Sequence, residues 1–137
     1  MLDANVVIAL LDEDDDSHAR AYDLVEDHAW DDFCTSALTL GEMLVRPAAR
    51  GPAERERSTI ERLGVSVVPV TSSTAVAAAR VRADRRVAMP DAVVLVTARS
   101  VGAELATFDR KLRRIARSEG LVVAELQDDG EPWPFPT

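Results

Sequence analysis

Two rhythms of hydrophobic and polar positions alternate along the chain, one of strand period and one of helix period. Met1-Leu2-Asp3 reads as a strand cut very short, and the apolar run over residues 6–11 follows it as a helix. The acidic stretch Asp12-Glu13-Asp14-Asp15-Asp16 leads into a helix over about 17–28, where a helix N-terminus favours negative charge. Residues 33–36 form a short buried strand. A helix over 38–45 is expected to stop at Pro47. Pro52 opens another helix through Leu63, and Gly64 is placed to end it. Residues 65–70 are rich in valine and bounded by Gly and Thr/Ser, a strand pattern. Ser72 or Ser73 is the expected cap of an alanine-rich helix running to about Arg86.

The segment 92–96 is apolar on every side, so period alone does not separate a central strand from a buried helix. Pro90 suits a first helical turn and Gly102 lies well beyond the end, which favours helix. Short strands at 104–107 and 121–124 flank a helix over 110–118 capped by Asp109. Strands alternating with helices imply an α/β fold, with a mostly parallel sheet covered on both faces. No repeat, low-complexity tract or Gly/Ser linker interrupts the pattern, so one domain is expected over residues 1–137. Residues 128–137, with three prolines and Trp133, read as a C-terminal arm.

Composition narrows the class. A content of 47% hydrophobic and 29% charged residues is a globular balance without a disorder signature. No apolar run approaches the ~20 residues of a membrane span, and the start lacks the basic and apolar regions of a signal peptide. Cys34 is the only cysteine, which excludes an intrachain disulfide and a cysteine zinc cluster. A cytoplasmic protein is expected. The net charge of -8 is awkward for a partner of nucleic acid. The positive charge is nearly all arginine, however, and arginine suits bidentate phosphate contacts. A G+C-rich genome would give the same bias, so charge alone decides nothing.

The candidate chemistry lies in four acids. Sites in open parallel α/β sheets form outside the carboxyl ends of the strands. Asp3 ends the first strand, Asp109 follows the 104–107 strand, and Asp91 opens a helix. Glu42 lies one to two turns into the helix after the 33–36 strand and can lean over the same edge. Two carboxylates ~5 Å apart at an effective dielectric near 20 repel by roughly 3 kcal/mol. Protonation or a cation must relieve that repulsion. An all-oxygen set without paired His or Cys suits a hard ion, Mg²⁺ or Mn²⁺, and phosphodiester hydrolysis is the natural reaction. Singly, Asp109 also fits a plain N-cap, Asp91 a first-turn acid and Glu42 an exposed helix residue.

Jointly, the four resemble the PIN-domain family, particularly the VapC toxins of VapBC toxin–antitoxin pairs. Leu2-Asp3-Ala4-Asn5-Val6-Val7-Ile8 is similar to the family's opening motif, and Leu40-Gly41-Glu42-Met43-Leu44 to its second-acid helix. Met89-Pro90-Asp91-Ala92-Val93-Val94 and Ala106-Thr107-Phe108-Asp109-Arg110-Lys111 resemble the third and fourth. The resemblance covers essentially the whole chain. It implies a three-layer α/β/α sandwich, Mg²⁺- or Mn²⁺-dependent endoribonuclease activity, a homodimer and inhibition by a cognate VapB-type antitoxin. On it, Asp3, Glu42, Asp91 and Asp109 hold metal or position water, and Asn5 and Thr107 orient carboxylates by hydrogen bonds. Local turn bonding is the plainer role for those two. The family has more first-strand residues ahead of its first acid, so a native start upstream of Met1 is expected.

Arg110, Arg113, Arg114 and Arg117 fall on one helical face, either a stripe for RNA phosphates or an ordinary solvated face. Arg82, Arg85 and Arg86 form a second basic cluster. His18 and His28 are ten residues apart, too far to share a metal, and surface roles are expected. A haloacid-dehalogenase-like phosphatase needs a second Asp where Asn5 stands, and a receiver domain needs adjacent N-terminal acids. The remaining rival is a PIN-like fold kept as a catalytically silent scaffold. An intact set of four acids argues against it.

Overall fold

A computed structural model describes residues 1–126; the arm expected at 128–137 lies outside the described residues. The elements are α1 (Ala4–Leu11), α2 (His18–Asp27), β1 (Phe33–Ser36), α3 (Ala37–Arg50), α4 (Glu54–Arg62), β2 (Val65–Val68), α5 (Ser72–Arg85), α6 (Met89–Ser100) and α7 (Arg110–Ser118).

β1 and β2 pair in parallel, Phe33 opposite Val65 through Ser36 opposite Val68. The sheet continues from β1 through single contacts. Leu2 N–H donates to the Cys34 carbonyl at 2.7 Å, and Leu2 bridges Ala106 in parallel. Leu105 in turn bridges Val123 in parallel. The order across the sheet is therefore β2, β1, 1–3, 105–107, 122–124. The chain reverses its direction of travel at the 1–3 segment, and such a switch point is where ligands of open α/β sheets bind. The strands expected at 1–3, 104–107 and 121–124 are thus reduced to isolated bridges.

Side chains on these segments alternate between two cores, as the period of an extended chain requires. Met1, Leu105 and Val123 enter one cluster with Ala78 and Val81 of α5, Ala92 to Val96 of α6, and Leu112 and Ala116 of α7. Leu2, Ala106 and Ala124 enter the other with Val6 and Val7 of α1, Leu24 of α2, Met43 of α3 and Ile60 of α4. The sheet is the middle layer of three, and both faces are covered by helices. The α/β/α sandwich implied by the sequence stands.

The ambiguous 92–96 segment is helical, and all residues of α6 from Ala92 to Ala98 are buried. A helix apolar all round belongs inside, and here it packs chiefly on α5. Two sequence expectations fail locally. α3 does not stop at Pro47 but runs to Arg50. Pro47 leaves the Met43 carbonyl, four residues back, without its helical donor, and the exposed residues 48–50 continue the helix nonetheless. The cap of α5 is Thr71, one residue ahead of the serines. Its hydroxyl accepts from Thr74 N–H at 3.2 Å, and the Thr74 hydroxyl accepts from Thr71 N–H at 3.3 Å. That reciprocal box satisfies two helix-end donors at once, which neither serine achieves.

The histidines do more than face solvent. His18 Nδ1 lies 2.8 Å from the Ala9 carbonyl and ties α2 to α1; His28 Nδ1 lies 2.9 Å from the Leu24 carbonyl. Glu119 closes the opposite layer. It accepts from Arg85 at 2.7 Å and from Arg99 at 2.9 Å, joining the ends of α5 and α6 to the end of α7.

Candidate metal centre

Three of the four acids stand at helix starts along one sheet edge. Asp3 is the N-cap of α1, and its Oδ1 accepts from Ala4 N–H at 2.9 Å. Asp109 is the N-cap of α7, and its Oδ1 accepts from Leu112 N–H at 3.0 Å. Asp91 lies in the first turn of α6. Helix starts carry partial positive charge, which favours a carboxylate at each place. Glu42 lies in the second turn of α3, whose N-cap Ser36 ends β1 and accepts from Thr39 N–H at 3.0 Å. The capping roles weighed for Asp109 and Asp91 are real, and they coexist with convergence.

Convergence is read from electrostatics. Burial is the main cause that raises the Asp3 carboxyl above its ordinary pKa, and the charge of Asp109 adds to it. Hydrogen bonds from Thr107 and Ala4 oppose that rise. Glu42 is raised by burial and then by Asp3 and Asp91. Asp91 is raised by burial and then by Asp109 and Asp3, while Lys111 pulls the other way. Each acid thus acts on at least one other. The four that motif order grouped are linked by electrostatic coupling in the fold.

A polar frame supports them. The Thr107 hydroxyl donates to Asp3 Oδ2 at 2.7 Å and accepts from Asn5 Nδ2 at 3.2 Å and Asp109 N–H at 3.1 Å. One donation and two acceptances exhaust a hydroxyl. Asn5 Oδ1 also accepts from Phe108 N–H at 3.1 Å. Local turn bonding is therefore too small a role for Asn5 and Thr107, because their bonds reach between α1 and the 107–109 segment.

A hard cation fits this donor set in kind. Among the described residues, no group of three or more His, Cys, Asp or Glu side chains is already gathered to hold an ion. Nor does any hydrogen bond or ion pair there hold the carboxylates of Glu42 and Asp91. Asp3 is the anchored member, and Glu42 and Asp109 are the exposed ones.

The arginine stripe begins beside Asp109. Leu112 and Ala116 are buried, Arg110, Arg114 and Arg117 are exposed and Arg113 is half-buried. Of the second basic cluster, Arg85 is occupied by Glu119. Several contributors were not picked out by sequence pattern. Ser36 was legible as a cap, with Thr39 three residues on. Arg20 of α2 stacks on Phe108 with its guanidinium carbon 4.6 Å from the ring centroid, a contact across the fold that no local pattern signals. Lys111 had one signal, its place two residues after Asp109.

Comparison with known proteins agrees with this fold. The family model described as PIN domain matches residues 1–118. No curated protein matches the chain. Similar solved structures include VapBC2 from Rickettsia felis, solved bound to a DNA fragment from their promoter. It is 17% identical with a TM-score of 0.69, over 93% of this chain and 98% of that one. VapC20 from Mycobacterium tuberculosis, described as a sarcin–ricin loop cleaving toxin, is 23% identical with a TM-score of 0.70, over 90% and 96%. A toxin–antitoxin complex from Klebsiella pneumoniae is 23% identical with a TM-score of 0.66, over 80% and 86%. At such identities the likeness is one of fold.

Proposed function

The chain belongs to the PIN-domain family, and from that premise we propose that it is a cytoplasmic metal-dependent endoribonuclease, the toxin of a type II toxin–antitoxin pair. The observation that carries the reading is the mutual electrostatic strain of Asp3, Glu42 and Asp91 around the Asp109 cap. Acids gathered at a cost to one another need a cation, and oxygen donors alone select Mg²⁺ or Mn²⁺. When bound, such a cation offsets phosphate charge and acidifies a water for in-line attack.

The protein's own part is to place these groups. Asp3, Glu42, Asp91 and Asp109 are the ligands or orient the attacking water. Thr107 and Asn5 fix the Asp3 carboxylate and the start of α7, so the geometry does not relax when charge changes. Arg110, Arg113, Arg114 and Arg117 hold RNA phosphates along α7 without reading bases. The chain acts as one nuclease domain over residues 1–137. Its partners are RNA, a second copy of itself and a VapB-type antitoxin whose basic side chain satisfies the acids as metal does.

The test is RNA cleavage by purified protein with Mn²⁺, with Mg²⁺ and with chelator, beside co-expression with the adjacent reading frame. Cleavage that chelator stops, and that the co-expressed partner silences, is the expected result. A protein that Mn²⁺ neither stabilises nor activates would be the silent scaffold instead.

A further inference from the structure

Of the 16 Lys and Arg residues in the chain, Lys111 alone is lysine. Its position is set by the rotation of α7, which Leu112 and Ala116 fix by burial. At about 100° per residue, Arg110, Arg113, Arg114 and Arg117 share one arc, and Lys111 lies about 100° round from Arg110. It therefore belongs to neither the arginine stripe nor the buried face. It is exposed on the flank between them, two residues after Asp109. Its charge acts on Asp91, at the start of α6. The lone lysine thus sits in the first turn after Asp109, beside the arginine arc and about 60° round from Arg114, with its charge felt at Asp91.

We propose that Lys111 contacts a non-bridging oxygen of the phosphate being cleaved, as a substrate contact separate from the arginine stripe. This deepens the nuclease reading and rests on it. The side-chain type follows from the neighbours. An arginine here would present a planar fork that pairs bidentately with Asp91 or Asp109 and would compete with a cation for those oxygens. A lysine is a compact, strongly hydrated charge on a flexible stem, with three donors that rotate. It can neutralise one phosphate oxygen while leaving the carboxylates to the metal.

Lys111 has opposite effects on the two binding steps. Its charge repels a divalent cation, so its removal should leave Mn²⁺ binding unchanged or tighter. The same charge attracts the phosphate, so its removal should slow cleavage. A residue that merely shapes the site would move both in the same direction.

The experiment uses the full chain with Lys111→Met and Lys111→Arg. Mn²⁺ binding is measured by calorimetry without RNA, and single-turnover cleavage at saturating Mn²⁺. For Lys111→Met the expected result is Mn²⁺ affinity at least equal to the parent's, with cleavage slower by about fivefold or more, the worth of one charge-assisted hydrogen bond. For Lys111→Arg the expected result is weaker Mn²⁺ binding. Lys111→Met cleavage slowed by less than about fivefold, weaker Mn²⁺ binding by that variant, or parental Mn²⁺ binding by Lys111→Arg would each overturn the assignment. Asp91→Asn is the control. An inactive parent, or an active Asp91→Asn, marks failure of the nuclease reading, whereas an active parent insensitive to Lys111→Met marks failure of this inference alone.

Discussion

Thr107 gives its only hydroxyl proton to Asp3, 2.7 Å away, and so joins the end of one central segment to the carboxylate at the end of its neighbour. The same oxygen receives Asn5 and the Asp109 N–H, and Thr107 is fully buried. Thr107→Val keeps the shape but leaves those two donors without an acceptor and Asp3 without its donor. Stability should fall by about 1–3 kcal/mol. RNA cleavage should fall ~10–100-fold, as for outer partners of metal ligands. Thr107→Ser should restore most of both. Parental cleavage by the valine variant, measured beside its thermal unfolding, would remove Thr107 from the site.

The strained acids make stability depend on pH in an unusual direction. Asp3, Glu42 and Asp91 are raised in the folded protein. Between their ordinary and their raised pKa values the native state holds more protons than the unfolded chain. Without divalent metal, stability should therefore rise as pH falls from neutral through the raised values, and level off below the ordinary ones. Glu119 works oppositely, since its bonds from Arg99 and Arg85 lower its pKa. Its contribution holds above the ordinary value and is lost as pH falls through the lowered one. Asp91→Asn should abolish cleavage, raise Tm near neutral pH and flatten part of the slope. Melting curves in chelator across this range test it, and a Tm that only falls with acid from neutral would contradict the strain.

Legibility in the sequence followed the range of the interactions. The helices were readable because each carries its own period and end signals, even α6, where Pro90 and Gly102 settled what hydrophobicity could not. Pro47 misled because it removes a single bond, to the Met43 carbonyl, and residues 48–50 keep helical geometry beyond it. Thr71 was missed because the choice among three adjacent hydroxyl residues depends on Thr74 reaching back. The acids were legible as a set through motif order and the strand-end rule. The bond from Thr107 to Asp3 and the stacking of Arg20 on Phe108 were not, because their partners lie far along the chain and meet only after the sheet has formed.

Glu42 is the acid with the longest reach, is exposed as Asp109 is, and has its backbone a turn deeper in its helix than Asp91 in α6. Glu42→Asp withdraws the carboxylate by one methylene while keeping its charge. A shift of ~1 Å at a reacting centre costs on the order of 100-fold. Cleavage should fall by about that factor, with little change in Tm because the residue is exposed. Near-parental turnover by this variant would place Glu42 outside the group that meets the metal.

The arginine stripe of α7 has two readings, and salt separates them. If Arg110, Arg113, Arg114 and Arg117 hold phosphates, binding releases counterions, and each single-strand phosphate left without its arginine lowers the slope of log K against log salt by roughly 0.7. Arg113→Ala/Arg114→Ala should then reduce that slope by about 1.4 and weaken binding to many RNA sequences alike, since phosphate contacts carry no base identity. Mn²⁺ affinity should not fall, because neither residue is among the acids' neighbours that shift their pKa values. Binding measured in Ca²⁺, to limit cleavage, at several salt concentrations gives the slope directly. An unchanged slope would make the stripe a solvated face of a helix held by Leu112 and Ala116, and would move the search for the RNA path to Arg82 and Arg86, which Glu119 does not engage.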